Sequence, residues 1–161
     1  MYKIPSQSNA IKEDHIHFAK MNERFKHKKK ESLICDHPLT KICHKYKEFT
    51  DKGPTATYWR KHCYTEFYGP LFNHLRNEPL NILEIGIRWG GSLLMWRDFF
   101  PNASIYGVDT QPHTIHPSLK SQMKTVKVLK GNAYSKNFIN THFKDMKFDI
   151  ILDDGSHKKN D

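Results

Sequence analysis

The stretch Ile82-Leu-Glu-Ile-Gly-Ile-Arg-Trp-Gly-Gly-Ser92 limits what this chain can fold into more than any other. A short apolar run rich in β-branched residues (Ile82, Ile85, Ile87) predicts a buried parallel strand. Gly90-Gly91-Ser92 then turns directly into a helical pattern of Leu93, Leu94, Trp96 and Phe100. A strand, a glycine-rich turn and a helix together bring backbone N–H groups close to a ligand, and the helix N-terminus favours negative charge there. The same unit also occurs as a plain tight connection, so the residues around it have to decide.

Those residues continue the alternation. Ser104 to Asp109 predicts a second strand that ends on a carboxylate, Thr125 to Leu129 a third, and Phe148 to Leu152 a fourth, with a helix marked by Phe138, Ile139 and Phe143 between the last two. Strands alternating with helices specify an α/β fold with a doubly wound parallel sheet. Upstream, Pro38 suits the first turn of a helix whose face is Leu39, Ile42, Cys43, Tyr46 and Phe49. Asp51-Lys52-Gly53-Pro54 predicts a turn, and Tyr58, Trp59, Cys63, Phe67, Leu71, Phe72 and Leu75 repeat at helical spacing, interrupted at Gly69-Pro70. Residues 1–35 form a polar, basic segment with a sparse amphipathic spacing (Ile11, Phe18, Met21, Phe25) and a charge block from Lys26 to Lys30. Residues 36–161 are expected to form the domain.

Composition narrows the partners. The formal net charge is +9, from 26 basic and 17 acidic side chains, and the excess is spread along the chain. Spread charge of this kind more often serves solubility than a nucleic-acid site, so nucleic acid is not an expected partner. No apolar run approaches the ~20 residues of a membrane span. Three cysteines give no even disulfide framework and the N-terminus has no signal-peptide pattern, which points to a reducing, cytoplasmic setting. Cys35, His37, Cys43 and His44 match no usual zinc spacing, and Cys43 belongs to an apolar helix face.

In a doubly wound sheet the ligand lies at the carboxyl ends of the strands. The residues there are Gly86 to Ser92, Asp109, Gly131-Asn132-Ala133 and Asp153-Asp154. Asp109, about twenty residues past the glycine turn, is placed to accept hydrogen bonds from a ribose diol. The turn lacks the glycine spacing that a pyrophosphate needs, so a nucleoside without phosphates fits better than a dinucleotide. S-adenosylmethionine has that character, with an amino-acid tail to meet the backbone and Glu84.

Leu83-Glu84-Ile85-Gly86-Ile87, Gly90-Gly91-Ser92-Leu93, Phe100-Pro101-Asn102-Ala103, Ile105-Tyr106-Gly107-Val108-Asp109 and Asp149-Ile150-Ile151-Leu152-Asp153-Asp154-Gly155-Ser156-His157 resemble the S-adenosylmethionine-dependent O-methyltransferases of the macrocin and mycinamicin type. The cephalosporin hydroxylase-like group shares these motifs, and Thr50-Asp51-Lys52-Gly53 resembles the lead-in of the family. The resemblance runs from about residue 36 to the end. It implies a Rossmann-like class I methyltransferase fold without its C-terminal strands, and methyl transfer to a hydroxyl of a sugar or polyketide-like small molecule. Glu84, Gly86, Gly91 and Ser92 would line the methionine end, Asp109 would hold the ribose, and Asn132 with Ala133 would border the adenine, with Asp153 in support. Asp154 matches a magnesium ligand and His157 the general base, so S-adenosylmethionine and magnesium are the implied cofactors.

Two departures accompany the resemblance. Gly131-Asn132-Ala133 stands where the family more often has an acidic and an amide residue, and the sequence stops at Asp161, before the later strands and their metal ligands. The fourth strand is therefore expected to leave an edge open to a second copy of the chain or to another polypeptide. A cofactor-binding remnant without turnover, or one completed by a partner, is the alternative to an active enzyme.

Overall fold

The computed structural model describes residues 36–57 and 62–155. The expectations for residues 1–35, and those for Tyr58, Trp59 and His157, lie outside the described residues. Eight elements follow one another: α1 (Pro38–Lys45), α2 (Tyr64–Phe72), β1 (Asn81–Ile85), α3 (Gly91–Phe99), β2 (Ser104–Asp109), β3 (Lys127–Lys130), α4 (Lys136–His142) and β4 (Ile150–Asp153). Short 3₁₀ turns link several of them, and no helix among the described residues is long and apolar enough to cross a membrane.

The four strands form one parallel sheet of order β3-β2-β1-β4. β1 is central, and its side chains alternate between two cores as a strand must. Ile82 faces a core shared with Leu39, Leu94, Trp96, Phe99 and Ile105, all buried beneath α1 and α3. Leu83 faces the other core, with Tyr106, Val108 and Phe143. Glu84 must then share the α1/α3 face with Ile82, and this alternation brings a carboxylate under the glycine turn. Gly107 in β2 yields to the same packing, because a Cβ there would come within 2.6 Å of Leu93 and 2.7 Å of Ile87.

α1 follows its sequence pattern. Pro38 opens it, His37 Nδ1 accepts the Leu39 N–H at 3.2 Å as an N-cap, and Leu39, Ile42 and Cys43 are buried at helical spacing. Cys43 packs against Gly53, where a Cβ would meet its Sγ at 2.7 Å, so its thiol helps to close the core. Burial pushes that thiol up to about 12.

Three boundaries differ from the sequence reading. α2 begins at Tyr64 and carries Pro70 within its last turn, where the rigid ring costs one backbone hydrogen bond without ending the helix. β3 begins at Lys127, two residues later than expected, because Thr125 closes a 3₁₀ turn by donating its hydroxyl to the Gln122 carbonyl at 2.7 Å. β4 begins at Ile150, since the Asp149 carboxylate accepts the Asn81 N–H at 2.8 Å and caps the start of β1. On β4, Ile150 and Leu152 are buried while Ile151 is 59% exposed, and among the described residues β4 has a neighbour on one side only.

Candidate functional site

The carboxyl ends of β1, β2 and β4 open onto a cavity of about 600 Å³. Its rim and walls include Gly86, Ser92, Asp109, Asn132, Ala133 and Asp154, six of the residues singled out in the sequence. Each is there for a local reason. Gly86 takes φ +82°, a left-handed conformation that glycine adopts without a Cβ penalty, and donates its N–H to the Val108 carbonyl at 2.8 Å. A Cβ at this position would come within 2.4 Å of the Asp154 carbonyl oxygen, so the turn after β1 and the end of β4 touch backbone to backbone.

Asp109 organises that turn. Its Oδ2 accepts the N–H groups of Ile87 (2.9 Å) and Arg88 (3.3 Å), and its Oδ1 accepts the N–H of Gln111 at 2.7 Å. Arg88 sits at φ +41°, an uncommon conformation for a non-glycine residue that these bonds help to hold. Of the roughly four lone-pair sites on a carboxylate, three are engaged, which leaves capacity for one further donor from the cavity.

Around Asn132 the chain makes a small side-chain turn, with Oδ1 accepting the Tyr134 N–H at 2.8 Å. Ala133 is buried, and Tyr134 lines the cavity with its hydroxyl donating to Asp153 Oδ1 at 2.8 Å. Asp153 also accepts the Gly155 N–H at 3.1 Å. It thus braces the end of β4 against the Asn132–Tyr134 turn and is not among the cavity-lining residues.

Glu84 lies one layer deeper. It is fully buried, its Oε2 accepts the Ser92 hydroxyl at 2.8 Å, and its Oε1 has no hydrogen-bond partner among the described residues. The Lys52 ammonium stands 3.5 Å from that Oε1. The same ammonium donates to Asp154 Oδ2 at 2.5 Å and lies 4.0 Å from Asp51, while the Lys52 side chain is only 4% exposed. Burial works against a charged lysine, but the carboxylates of Glu84, Asp154 and Asp51 outweigh it and hold the ammonium protonated well above the ordinary lysine range. Burial likewise pushes the Glu84 carboxyl up, against the pull of Lys52 and Ser92. Sequence reasoning passed over Lys52 as part of a turn; the available signal was its place in the Thr50-Asp51-Lys52-Gly53 motif.

Gly91 opens α3 and is buried, with the Phe49 backbone where a Cβ would go, at 2.6 Å. It serves packing between the lead-in segment and the glycine turn. Among the described residues no group of three His, Cys, Asp or Glu side chains converges in a way that would hold a metal ion.

An open parallel sheet with a positive-φ glycine after β1, an acid closing β2 and a shared cavity at the strand ends agrees with a class I methyltransferase fold, which the solved MycE structure shares. Within that class, the chain is similar to O-methyltransferases of the mycinamicin, macrocin and tetracenomycin type, in keeping with its motifs. It is 34% identical over 118 residues to mycinamicin VI 2''-O-methyltransferase of Micromonospora griseorubida, covering 68% of this chain and 28% of that one. Demethylmacrocin O-methyltransferase of Streptomyces fradiae is 32% identical, with 68% and 29% covered. A tetracenomycin-C rhamnosyl 3'-O-methyltransferase of Streptomyces olivaceus is 36% identical over 104 residues, with 60% and 25% covered. The crystal structure of MycE methyltransferase with Mg, SAH and mycinamycin VI superposes with a TM-score of 0.52 at 28% identity, covering 76% of this chain and 29% of that chain. No family model matches the sequence. The chain spans less than a third of the length of these relatives.

Proposed function

We propose that the cavity binds S-adenosylmethionine and that the chain serves methyl transfer to a hydroxyl of a sugar- or polyketide-bearing small molecule. The observation that carries this reading is the geometry at Asp109. A carboxylate fixed by three backbone donors, two of them from the glycine turn itself, lines a cavity sized for one nucleoside ligand, within the usual range of about 300–1,000 Å³. The MycE structure, which holds SAH on a related fold, supports it.

When bound, S-adenosylmethionine supplies an electrophilic methyl group on a sulfonium. The residues of this chain bind and orient it. Asp109 accepts a ribose hydroxyl, the Gly86 turn, packed without a side chain against the end of β4, lines the methionine end, and Asn132 with Ala133 borders the base. Glu84 and Ser92 set the charge beneath the amino-acid tail. Asp153 supports the adenine side through Tyr134. His157 is assigned as the base: as the acceptor oxygen bonds to the methyl carbon and the carbon–sulfur bond breaks, the imidazole takes the hydroxyl proton. Magnesium is held by MycE, and Asp154 is its candidate ligand here, but the described residues present Asp154 already bonded to an ammonium. A divalent cation held there would polarise the acceptor hydroxyl and ease loss of its proton.

Calorimetric titration with S-adenosylhomocysteine tests the binding. A folded sample is expected to bind it, and Asp109→Ala to weaken binding by about 1.5–3 kcal/mol, the range for losing hydrogen bonds to a charged acceptor. A folded wild type that gives no binding heat and no thermal shift rejects the reading. His157→Ala is expected to lower kcat by at least about 10²-fold with cofactor affinity unchanged, because a base acts on the acceptor's proton; an unaltered rate removes His157 from this role.

For partners, the exposed Ile151 and the edge of β4 that has no neighbour among the described residues support pairing with a further strand, from a second copy of the chain or another polypeptide. Sedimentation of the wild type is expected to show self-association that Ile151→Lys reduces, and a wild-type monomer at all concentrations would argue against self-pairing.

A further inference from the structure

The turn after β1 is also held from outside the cavity. The Gly90 N–H donates to the Ile87 carbonyl at 2.7 Å and closes a four-residue turn over Ile87, Arg88, Trp89 and Gly90. Its second residue, Arg88, sits at φ +41° and its third, Trp89, does not share the positive φ, which is the pattern of a II′ turn, whose first central position is ordinarily glycine. A larger residue persists there only where its surroundings over-determine the backbone. Asp109 supplies one side of that hold, through the N–H groups of Ile87 and Arg88. The segment after β2 supplies the other. There the Thr114 hydroxyl donates to the Arg88 carbonyl at 2.8 Å, and the His116 N–H donates to the Trp89 carbonyl at 3.1 Å. The Gln111 carbonyl, 3.0 Å from the same hydroxyl, is its alternative acceptor, and the Gln111 N–H is on Asp109. One carboxylate therefore anchors both the turn and the segment that clasps it from behind.

We propose that Thr114 is a positioning residue for the nucleoside: from outside the cavity, its hydroxyl keeps Arg88 in the left-handed conformation and so keeps the Ile87 and Arg88 N–H groups on Asp109, the carboxylate that meets the ribose. An Arg88 that relaxed to negative φ would swing its N–H off that carboxylate, and the ligand would then bind only the fraction of molecules with the turn in place. The inference takes its ligand from the methyl-donor reading, whereas the hold on Arg88 is independent of it.

Calorimetric titration of S-adenosylhomocysteine into the full chain tests it, together with amide exchange followed by NMR without ligand. Thr114→Val and Thr114→Ala remove the donor, the first keeping the shape, while Thr114→Ser keeps the donor. Ser118→Ala, which removes the hydroxyl 2.7 Å from His116 Nδ1, controls for loosening of the segment as a whole. Thr114→Val is expected to weaken binding at least about tenfold, as when the competent turn falls to about a tenth of the population, and to speed exchange of the Arg88 amide relative to that of Leu83. Thr114→Ala is expected to do the same, and Thr114→Ser and Ser118→Ala to match the wild type in both. Unchanged binding in Thr114→Val and Thr114→Ala overturns the proposal, as does unchanged exchange at Arg88, a loss that serine fails to restore, or one that Ser118→Ala reproduces. If the wild type fails to bind while loss of the hydroxyl still frees the Arg88 amide, the methyl-donor reading falls and the hold on Arg88 stands.

Discussion

Replacing Lys52 by methionine is expected to lower the unfolding free energy by about 3–5 kcal/mol, the range for removing one partner of a buried ion pair. The loss comes less from the bonds themselves than from what remains. Glu84 is fully buried and, among the described residues, would keep only the Ser92 hydroxyl, with no cation within reach of Oε1. Pairing the substitution with Glu84→Gln is expected to recover much of the loss, because a neutral pair of similar volume carries no desolvation cost of charge. A double-mutant cycle in urea at pH 7 measures the coupling. The pH can be chosen from the sign of the shift. Lys52 is held protonated above its ordinary value of 10.5, so its contribution is fully present below that pH and is lost as pH rises through the higher folded-state value. Additive single substitutions would show that the ammonium and Glu84 do not act as a pair.

Gly86→Ala is expected to cost about 2–5 kcal/mol and to remove S-adenosylhomocysteine binding. Two terms add: about 1–2 kcal/mol for forcing a Cβ into the left-handed region, and about 1–3 kcal/mol for a contact that cannot relax. That contact is with the Asp154 carbonyl oxygen, 2.4 Å from the ideal Cβ, and the Asp154 backbone is itself fixed by donating its N–H to the Ile85 carbonyl at 2.8 Å. Gly90→Ala is the control. It sits at φ +87°, and its one close contact is the flexible end of Met123, with Ile115 at an ordinary 3.6 Å, so it carries the first term with little of the second. Thermal denaturation of both variants separates the terms, and equal losses would show that the backbone contact at Gly86 is without consequence.

The frame of the site was legible because it depends on local pattern. Period-two alternation placed β1 and β2, the end of β2 placed Asp109, and the glycines marked the turn between them. The chemistry of Asp154 was less legible. Its assignment to a cation comes from the family resemblance, and nothing near it in sequence announces an ammonium whose residue lies 102 positions upstream. Lys52 was missed for the matching reason: next to Gly53-Pro54 a lysine reads as a solvated turn, and its burial follows from where β1 and β4 end. At Gly91 the structure adds a reason that the local sequence does not carry, the Phe49 backbone standing where a Cβ would go. Element starts shifted wherever a polar side chain satisfied a backbone group first, as Thr125 and Asp149 do.

The contact between Gly91 and the Phe49 backbone bears on how this fold can be cut and grafted. Judged by strands, the nucleoside-binding unit starts at Asn81, and a transplant would be designed from there. The floor of its cavity, however, is laid by residues 49–52, which reach it only because the first helix is seated on the sheet and the glycine turn is bare enough to receive their backbone. A graft that begins at β1 would carry Glu84 into its new host with no cation of its own, and the host would have to supply one. The smallest portable unit therefore opens at Pro38, and the lead-in travels with the sheet as one inherited piece.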